Sequence, residues 1–370
     1  MSDKMVLNKD KKKVVVAMSG GVDSSVTALL LAKQGYNVVG LHMTNMNEQS
    51  EQDDRRSVES LCKKLGIDCE FVTLKDEMQS VMDYFFSEYE NGRTPNPCVI
   101  CNKTVKFKPF IDFAKKIGAD YFATGHYAKI LHTKDGDFLM VARDENKDQT
   151  YFLNGLSNEQ LKMALFPLGE LKKDEVRKIA EENNLYSAHK KDSQDICFLG
   201  SEKFKDFMTE HHISTPGKIV DVSTGKLVGK HGGLDKYTIG QRRGLGIGGG
   251  SGKTGEAWFV CNKDTKTNTL FVEQGNGESL YSIGLKINNF NWINEQIETE
   301  FECLAKFRYR QALQGVFVKI NDDKTVTINF KEKQRAITTG QFAVLYKKAD
   351  GETYCLGGGA IDDVIYKEDR

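Results

Sequence analysis

The run Ser19-Gly20-Gly21-Val22-Asp23-Ser24 constrains this chain more than any other, because of what stands on either side of it. Val14, Val15, Val16 and Ala17 before it read as a buried strand, and residues 25–32 after it read as a helix. A tight glycine turn from a buried strand into a helix opens a parallel α/β sheet. It also makes an anion cradle. The first N–H groups of the helix lack intrahelical partners, Gly20 and Gly21 allow close backbone approach, and the hydroxyls of Ser19 and Ser24 add donors. Asp23 stands where a carboxylate can help to hold Mg²⁺ on bound phosphates. No Lys-Ser/Thr pair follows a second glycine, so the loop is not a Walker A sequence and has no lysine placed to reach a γ-phosphate.

Strand and helix patterns alternate through the first half. Strands are predicted at 13–18, 37–43, 69–74 and 121–124, and helices at 24–34, 53–65, 76–89 and 108–117, with Gly35, Gly66 and Gly118 closing three of the helices. Such units build a parallel sheet with helices on both faces and put ligands at the carboxyl ends of the strands, where residues 19–24 lie. Helical stretches follow at 156–166 and 172–184. Near residue 211 the pattern changes to short β runs, such as 219–222, the turn Ser223-Thr224-Gly225-Lys226, and Leu227-Val228. Eight of the sixteen residues at 240–255 are glycine, which predicts a mobile loop. Runs at 317–320, 325–330, 342–346 and 354–361 predict an all-β unit, a small barrel. At 370 residues the chain exceeds what one core serves. The expected organisation is an α/β domain over 1–210, a small β-rich central domain over 211–279 and a C-terminal β-barrel over 280–370.

Hydrophobic residues at 39% and charged residues at 28% describe a globular chain. No apolar run approaches a membrane span, and residues 1–13 are polar and lysine-rich without a signal-peptide core, so a cytoplasmic location is expected. Eight cysteines are too few for a disulfide-rich secreted fold of this length, which predicts reduced thiols, some of them reactive. The net charge is zero, so any nucleic-acid contact must rest on local basic groups such as Lys230, Lys236, Arg242, Arg243, Lys253, Arg308 and Arg310.

Thr94-Pro95-Asn96-Pro97-Cys98-Val99-Ile100-Cys101-Asn102-Lys103 sets two thiols three residues apart behind a stiff double-proline turn. Half a zinc site would need two further ligands at similar spacing, and no second Cys-x-x-Cys or matching His pair is present. A catalytic thiol fits better, because Lys103, Lys106 and Lys108 supply positive charge that favours a thiolate. Cys197, within Asp192-Ser193-Gln194-Asp195-Ile196-Cys197-Phe198-Leu199, reads on its own as a core residue.

The 19–24 run resembles the pyrophosphatase loop of the ATP-pyrophosphatase superfamily, whose members cleave ATP between the α- and β-phosphates to adenylate a substrate. Residues 94–103, Gly125-His126-Tyr127, residues 147–153, 192–199 and 240–249, Arg308-Tyr309-Arg310-Gln311 and Cys355-Leu356-Gly357-Gly358-Gly359, in that order, resemble the tRNA-specific 2-thiouridylase family over nearly the whole chain. The resemblance implies an adenine-nucleotide alpha-hydrolase-like first domain. It implies an enzyme that uses ATP and Mg²⁺ to adenylate the C2 oxygen of the wobble uridine, position 34, and replaces that oxygen with sulfur from a cysteine persulfide. By the same resemblance Cys197 bears the persulfide and Cys101 is the partner thiol, the two ending as a disulfide. Ala17, Met18, Ser19, Gly20, Gly21, Val22, Asp23, Ser24, Met43 and Gly125 match nucleotide contacts, with Met43 suited to pack on adenine. Asn96, Pro97 and Cys98 match the segment beside the target base, and His126, Lys147, Asp148, Gln149, Arg308, Tyr309 and Gln341 match tRNA contacts. A sulfur-relay protein or a cysteine desulfurase is the implied persulfide donor. Cys98 stands where some members have aspartate, which leaves the general base open.

Sibling enzymes share the adenylating loop, among them 4-thiouridine synthetases, GMP synthetases and argininosuccinate synthetases. The paired Cys101 and Cys197 argue against the siblings without sulfur chemistry, and no appended sulfurtransferase domain is visible. A non-catalytic tRNA-binding protein with a vestigial loop is the other alternative, and the intact 19–24 run opposes it.

Overall fold

The computed structural model describes residues 11–44, 48–134, 136–190, 204–211, 214–247, 255–296 and 298–367. The first sheet is built on β1 (Lys13–Ala17), whose alternate residues serve two cores, as a strand buried on both faces must. Val15 joins Leu41, Val105, Phe107 and Phe122 on one side, while Val14 and Val16 join Val26, Leu31, Val58 and Val176 on the other. After β1 come α1 (Val22–Lys33), β2 (Asn37–Thr44), α2 (Glu48–Leu65), β3 (Asp68–Thr73) and α3 (Lys75–Glu90). Next are α4 (Pro97–Cys101), a π-helical stretch (Asn102–Phe107), α5 (Lys108–Lys116) and β4 (Tyr121–Ala123). The chain continues through β5 (Lys129–Thr133), β6 (Gly136–Met140), α6 (Thr150–Leu153), α7 (Asn158–Met163), β7 (Ala164–Leu165), α8 (Lys173–Glu182) and α9 (Phe204–His211). The parallel sheet has the order β3-β2-β1-β4-β7. Its direction of growth reverses between β1 and β4, so the loops after those strands part and open a crevice at their carboxyl ends.

The central unit is a four-stranded sheet of β8 (Gly217–Asp221), β9 (Leu227–His231), β10 (Trp258–Asp264) and β11 (Thr269–Gln274), ordered β10-β11-β8-β9 around Ile219, Tyr237, Trp258, Val260 and Val272. The last unit holds β12 (Tyr281–Ile287), β13 (Asn291–Trp292), β14 (Glu300–Lys306), β15 (Gln314–Ile320), β16 (Val326–Arg335), β17 (Phe342–Ala349), β18 (Glu352–Ala360) and β19 (Asp363–Ile365). Strands pair in the order β12-β16-β15-β14-β17-β18. β18 runs on through Ile361 into β19, which pairs back onto β12, so the sheet closes on itself. The α/β sheet followed by β-rich units and a closed barrel is the architecture expected from the sequence.

Two local expectations differ. The helix expected at 156–166 ends at Met163, and Ala164–Leu165 becomes the fifth parallel strand. The hairpin β5–β6, unread in the sequence, adds to the barrel sheet through Tyr354↔Met140 and Cys355↔Leu139. A segment of the expected first domain thus belongs to the third sheet, because a strand's partner is set by which edge is open and not by its own residues. Residues 248–254 of the glycine-rich stretch lie outside the described residues.

Candidate active site

The cradle is closed by its own hydroxyls. The Ser19 N–H donates to Ser24 Oγ (3.2 Å), and Ser24 Oγ (3.2 Å) and Ser25 Oγ (2.8 Å) both donate to the Gly21 carbonyl. No side chain caps α1 at Gly21, so its first-turn N–H groups face the mouth of the crevice. Gly20 has φ +75°, and a Cβ there would lie 2.8 Å from Asp54 Cα, so α2 packs directly on the loop backbone. Ser57 Oγ adds a hydrogen bond to the Gly20 carbonyl (3.0 Å). Gly125, just past β4, abuts the same helix end, with a Cβ position 2.9 Å from the Ser24 nitrogen. The structure therefore brings residues 17–24 and Gly125 together. Met18 and Val22 are buried, and Met18 Sδ lies 3.8 Å from Cys62 Sγ in the core, so these two face the loop with their backbone only.

Asp23, expected to help hold Mg²⁺, is already engaged by protein partners. Both of its carboxylate oxygens accept from Lys173 Nζ (2.7 and 2.8 Å), and Tyr127 OH donates to Oδ1 (2.9 Å). The Lys173 side chain is 9% exposed, so Asp23 neutralises a buried ammonium and does not present an unpaired carboxylate to a cation. No cluster of three or more His, Cys, Asp or Glu suited to a metal exists among the described residues. A second carboxylate, Asp54, pairs with Lys190 (3.0 Å) beside Gly20. Lys173, Asp54 and Lys190 were invisible to sequence reasoning, since each reads as a charge on a solvated helix or loop.

The double-proline turn launches a helix. Pro97 occupies the first turn of α4, where its missing N–H costs nothing, and Cys98 and Cys101 follow at one-turn spacing, the first half-buried and the second buried. After Cys101 the helix widens into the π stretch before α5 resumes, a distortion frequent at functional sites. Within it Asn102 Nδ2 donates to the Phe152 carbonyl (3.0 Å), while its buried Oδ1 meets no hydrogen-bond partner among the described residues. Cys101 sits in the core cluster that includes Val15 and Leu41, and Met43, half-buried at the end of β2, packs on that cluster. The nucleotide strands and the cysteine helix thus share one core. Cys197 and the expected disulfide lie outside the described residues.

The barrel grips this turn from the far end of the chain. The Thr94 N–H donates to the Thr339 carbonyl (2.9 Å), and Gln341 Nε2 donates to the carbonyls of Thr94 (3.0 Å) and Pro95 (3.4 Å). Gly340, at φ +87°, touches Thr94 so closely that a Cβ would come within 2.9 Å of its nitrogen. His126 packs against Phe107 and Phe166 in a triangle of rings, with Nδ1 2.8 Å from Thr124 Oγ1. Burial, aided by Lys106, pushes its pKa down to about 3.

Three family models match in succession: a tRNA methyl transferase HUP domain over residues 12–201, a tRNA methyl transferase PRC-barrel domain over 205–274 and an aminomethyltransferase beta-barrel domain over 282–361. The tRNA-specific 2-thiouridylase MnmA of Lactococcus lactis subsp. cremoris is 50% identical over 369 residues, covering 97% of this chain and 96% of the relative. The chain belongs to the tRNA-specific 2-thiouridylase family. The Staphylococcus aureus MnmA is 48% identical over 373 residues, covering 98% of each chain. Among solved structures, the U34-tRNA thiolase NcsA from Methanococcus maripaludis aligns with a TM-score of 0.36 and 21% identity, over 56% of this chain and 68% of that one.

The residues expected to touch tRNA in this thiouridylase take different positions. Asp148 is buried and accepts from the Ala142 N–H (3.1 Å), the Thr150 N–H (3.4 Å) and Thr150 Oγ1 (2.7 Å). The carboxylate, expected at the tRNA contact, is enclosed and braces the loop from within, and burial raises its pKa. The loop it braces leaves Lys147 and Gln149 half-buried, with Gln149 Oε1 accepting from the Tyr127 N–H (2.9 Å). Arg308 is an exposed residue with Nη2 engaged by Ile239 O (3.0 Å), Ala336 O (2.6 Å) and Thr338 Oγ1 (3.1 Å), tying the central unit to the barrel. Tyr309 packs against Phe152 at 4.4 Å between ring centroids, next to the residue that Asn102 holds. Phe152 was not singled out in the sequence, where it looks like any core aromatic. Arg242, Arg243 and Arg310 are exposed.

Proposed function

We propose that this family member 2-thiolates the wobble uridine at position 34 of tRNA by adenylation followed by persulfide transfer. The uridine C2 oxygen attacks the α-phosphorus of ATP held at residues 19–24, and pyrophosphate leaves. An amide-like oxygen departs poorly, whereas AMP departs readily. The outer sulfur of a Cys197 persulfide then attacks C2. The Cys101 thiolate attacks the inner sulfur, so the S–S bond of the persulfide breaks as a Cys101–Cys197 disulfide forms, AMP is expelled and the uridine keeps the outer sulfur. A thiol reductant resets the pair.

The observation that carries this reading is the shared core, in which β1 and β2, the strands that carry the phosphate loop and Met43, and the cysteine helix are set against one cluster. The Phe152–Tyr309 pair lies beside the cysteine helix, which Asn96-Pro97-Cys98 open, and a base splayed from an anticodon loop would stack there. Mg²⁺ neutralises phosphate charge when bound. Asp23 and Asp54 are each already paired with a lysine, so most of its ligands would be phosphate oxygens. The persulfide arrives from a relay protein or a cysteine desulfurase, and the reaction runs in the cytoplasm, in keeping with the absence of any membrane-spanning helix among the described residues.

Reconstitution with ATP, Mg²⁺, unmodified tRNA and a persulfide source tests the proposal. Nucleoside mass spectrometry should find 2-thiouridine, with AMP and pyrophosphate released. Sulfur at C4, or ADP and phosphate as the products, would refute it.

A further inference from the structure

Two lysine–carboxylate pairs flank the phosphate loop, and they are built differently. Asp23–Lys173 is closed: the lysine is 9% exposed, both carboxylate oxygens accept from it, and Tyr127 OH adds a third hydrogen bond. Asp54–Lys190 is open, with side chains 29% and 28% exposed, one hydrogen bond of 3.0 Å between them and the Lys190 ammonium also 5.9 Å above the largely exposed Tyr186 ring. Asp54 lies so close to the loop that a Cβ on Gly20 would stand 2.9 Å from its Oδ1, which leaves the Lys190 ammonium one hydrogen bond away from the cradle. The lysine's main chain is anchored. Its N–H donates to the Ser187 carbonyl (3.0 Å), and Arg177 Nη1 donates to the carbonyls of Ala188 (3.4 Å) and Lys190 (3.3 Å). A long, flexible cation therefore leaves from a fixed point beside the loop.

A carboxylate at the edge of an anion cradle works against phosphate binding unless a cation accompanies it. A half-exposed ion pair also exchanges partners at little cost. We propose that Lys190 grips the pyrophosphate end of ATP, the contact that a Walker lysine makes in other phosphate loops, and that Asp54 holds it beside Gly20 until nucleotide binds. The inference rests on the adenylation reading, in which the β- and γ-phosphates leave together and negative charge grows on them in the transition state. Lys173 cannot take this part, because drawing it away would leave Asp23 uncompensated.

The test uses the full-length protein and measures equilibrium binding of inorganic pyrophosphate and of AMP without added Mg²⁺, together with tRNA-dependent pyrophosphate release. Lys190→Gln should weaken pyrophosphate binding and lower kcat/KM for ATP about 10- to 100-fold, the worth of one charge-assisted hydrogen bond, with AMP binding unchanged. Lys190→Arg should recover most of both. Asp54→Asn should bind pyrophosphate as tightly as the unaltered protein or more tightly, since nothing then competes for the ammonium. Equal loss of AMP and pyrophosphate in Lys190→Gln, or loss of pyrophosphate binding in Asp54→Asn, would show the pair to be a strut and overturn the inference. Failure of the adenylation reading would appear separately, as ADP and phosphate released by the unaltered protein.

Discussion

The phosphate loop and the cysteine turn are both rigid, for opposite reasons. Residues 19–25 take their turn from their own hydroxyls and carbonyls, and Ser57, Tyr127 and Lys173 of the same domain brace it. Thr94 and Pro95 are held by Thr339, Gly340 and Gln341 of the barrel, more than 240 positions away. The turn of the phosphate loop is thus set locally and braced from within the α/β domain, whereas the cysteine turn takes its contacts from the barrel. Substitutions should separate accordingly, with loop variants impairing adenylation and barrel-turn variants impairing sulfur transfer.

The sharpest division is expected from the thiols. Cys101→Ser and Cys197→Ser should each lower thiolation by roughly 1,000-fold or more while tRNA-dependent pyrophosphate release persists, because the hydroxyl neither carries nor resolves a persulfide. Cys98→Ser should lose activity only partly, and trapped enzyme should show Cys101 linked to Cys197 by peptide mapping. A dominant Cys98–Cys197 linkage would reverse the roles.

Asp23→Asn should remove adenylation and leave tRNA binding near normal. It strands the Lys173 ammonium and should cost about 1–3 kcal/mol of stability, read from denaturant midpoints. Gly340→Val tests the other half. Its side chain would meet Thr94 backbone at a φ that L-residues rarely adopt, a cost of about 1–3 kcal/mol, and should slow single-turnover sulfur transfer more than pyrophosphate release. Equal slowing of both steps would break the proposed division. Gln341→Ala, which removes two hydrogen bonds to neutral carbonyls, should act in the same direction by only a few-fold, about 1 kcal/mol.

The smallest effect concerns pH. His126 titrates near 3 in the folded protein and near 6.5 when unfolded. Between those values the unfolded chain binds a proton that the folded one does not, so stability falls as pH drops from about 6.5 toward 3. His126→Asn should flatten that acid limb in urea titrations, with little change at pH 8.

What the sequence determined by itself is what short-range forces decide. The strand before the 19–24 run, the helix after it and the glycine at its sharpest turn are set by residues within one another's reach, and so is the alternation that builds the first sheet. The spacing of Cys98 and Cys101 was legible too, although their placement on a helix that widens into a π turn was not. Tertiary structure alone decided the partners. It placed β5–β6 on the barrel, buried Asp148, bound Asp23 to Lys173 and set Gln341 against Thr94 and Pro95. Backbone conformation follows from neighbours along the chain. A charge or an amide takes its role from whatever packing brings to it across space, and nothing in its own sequence neighbourhood records that meeting.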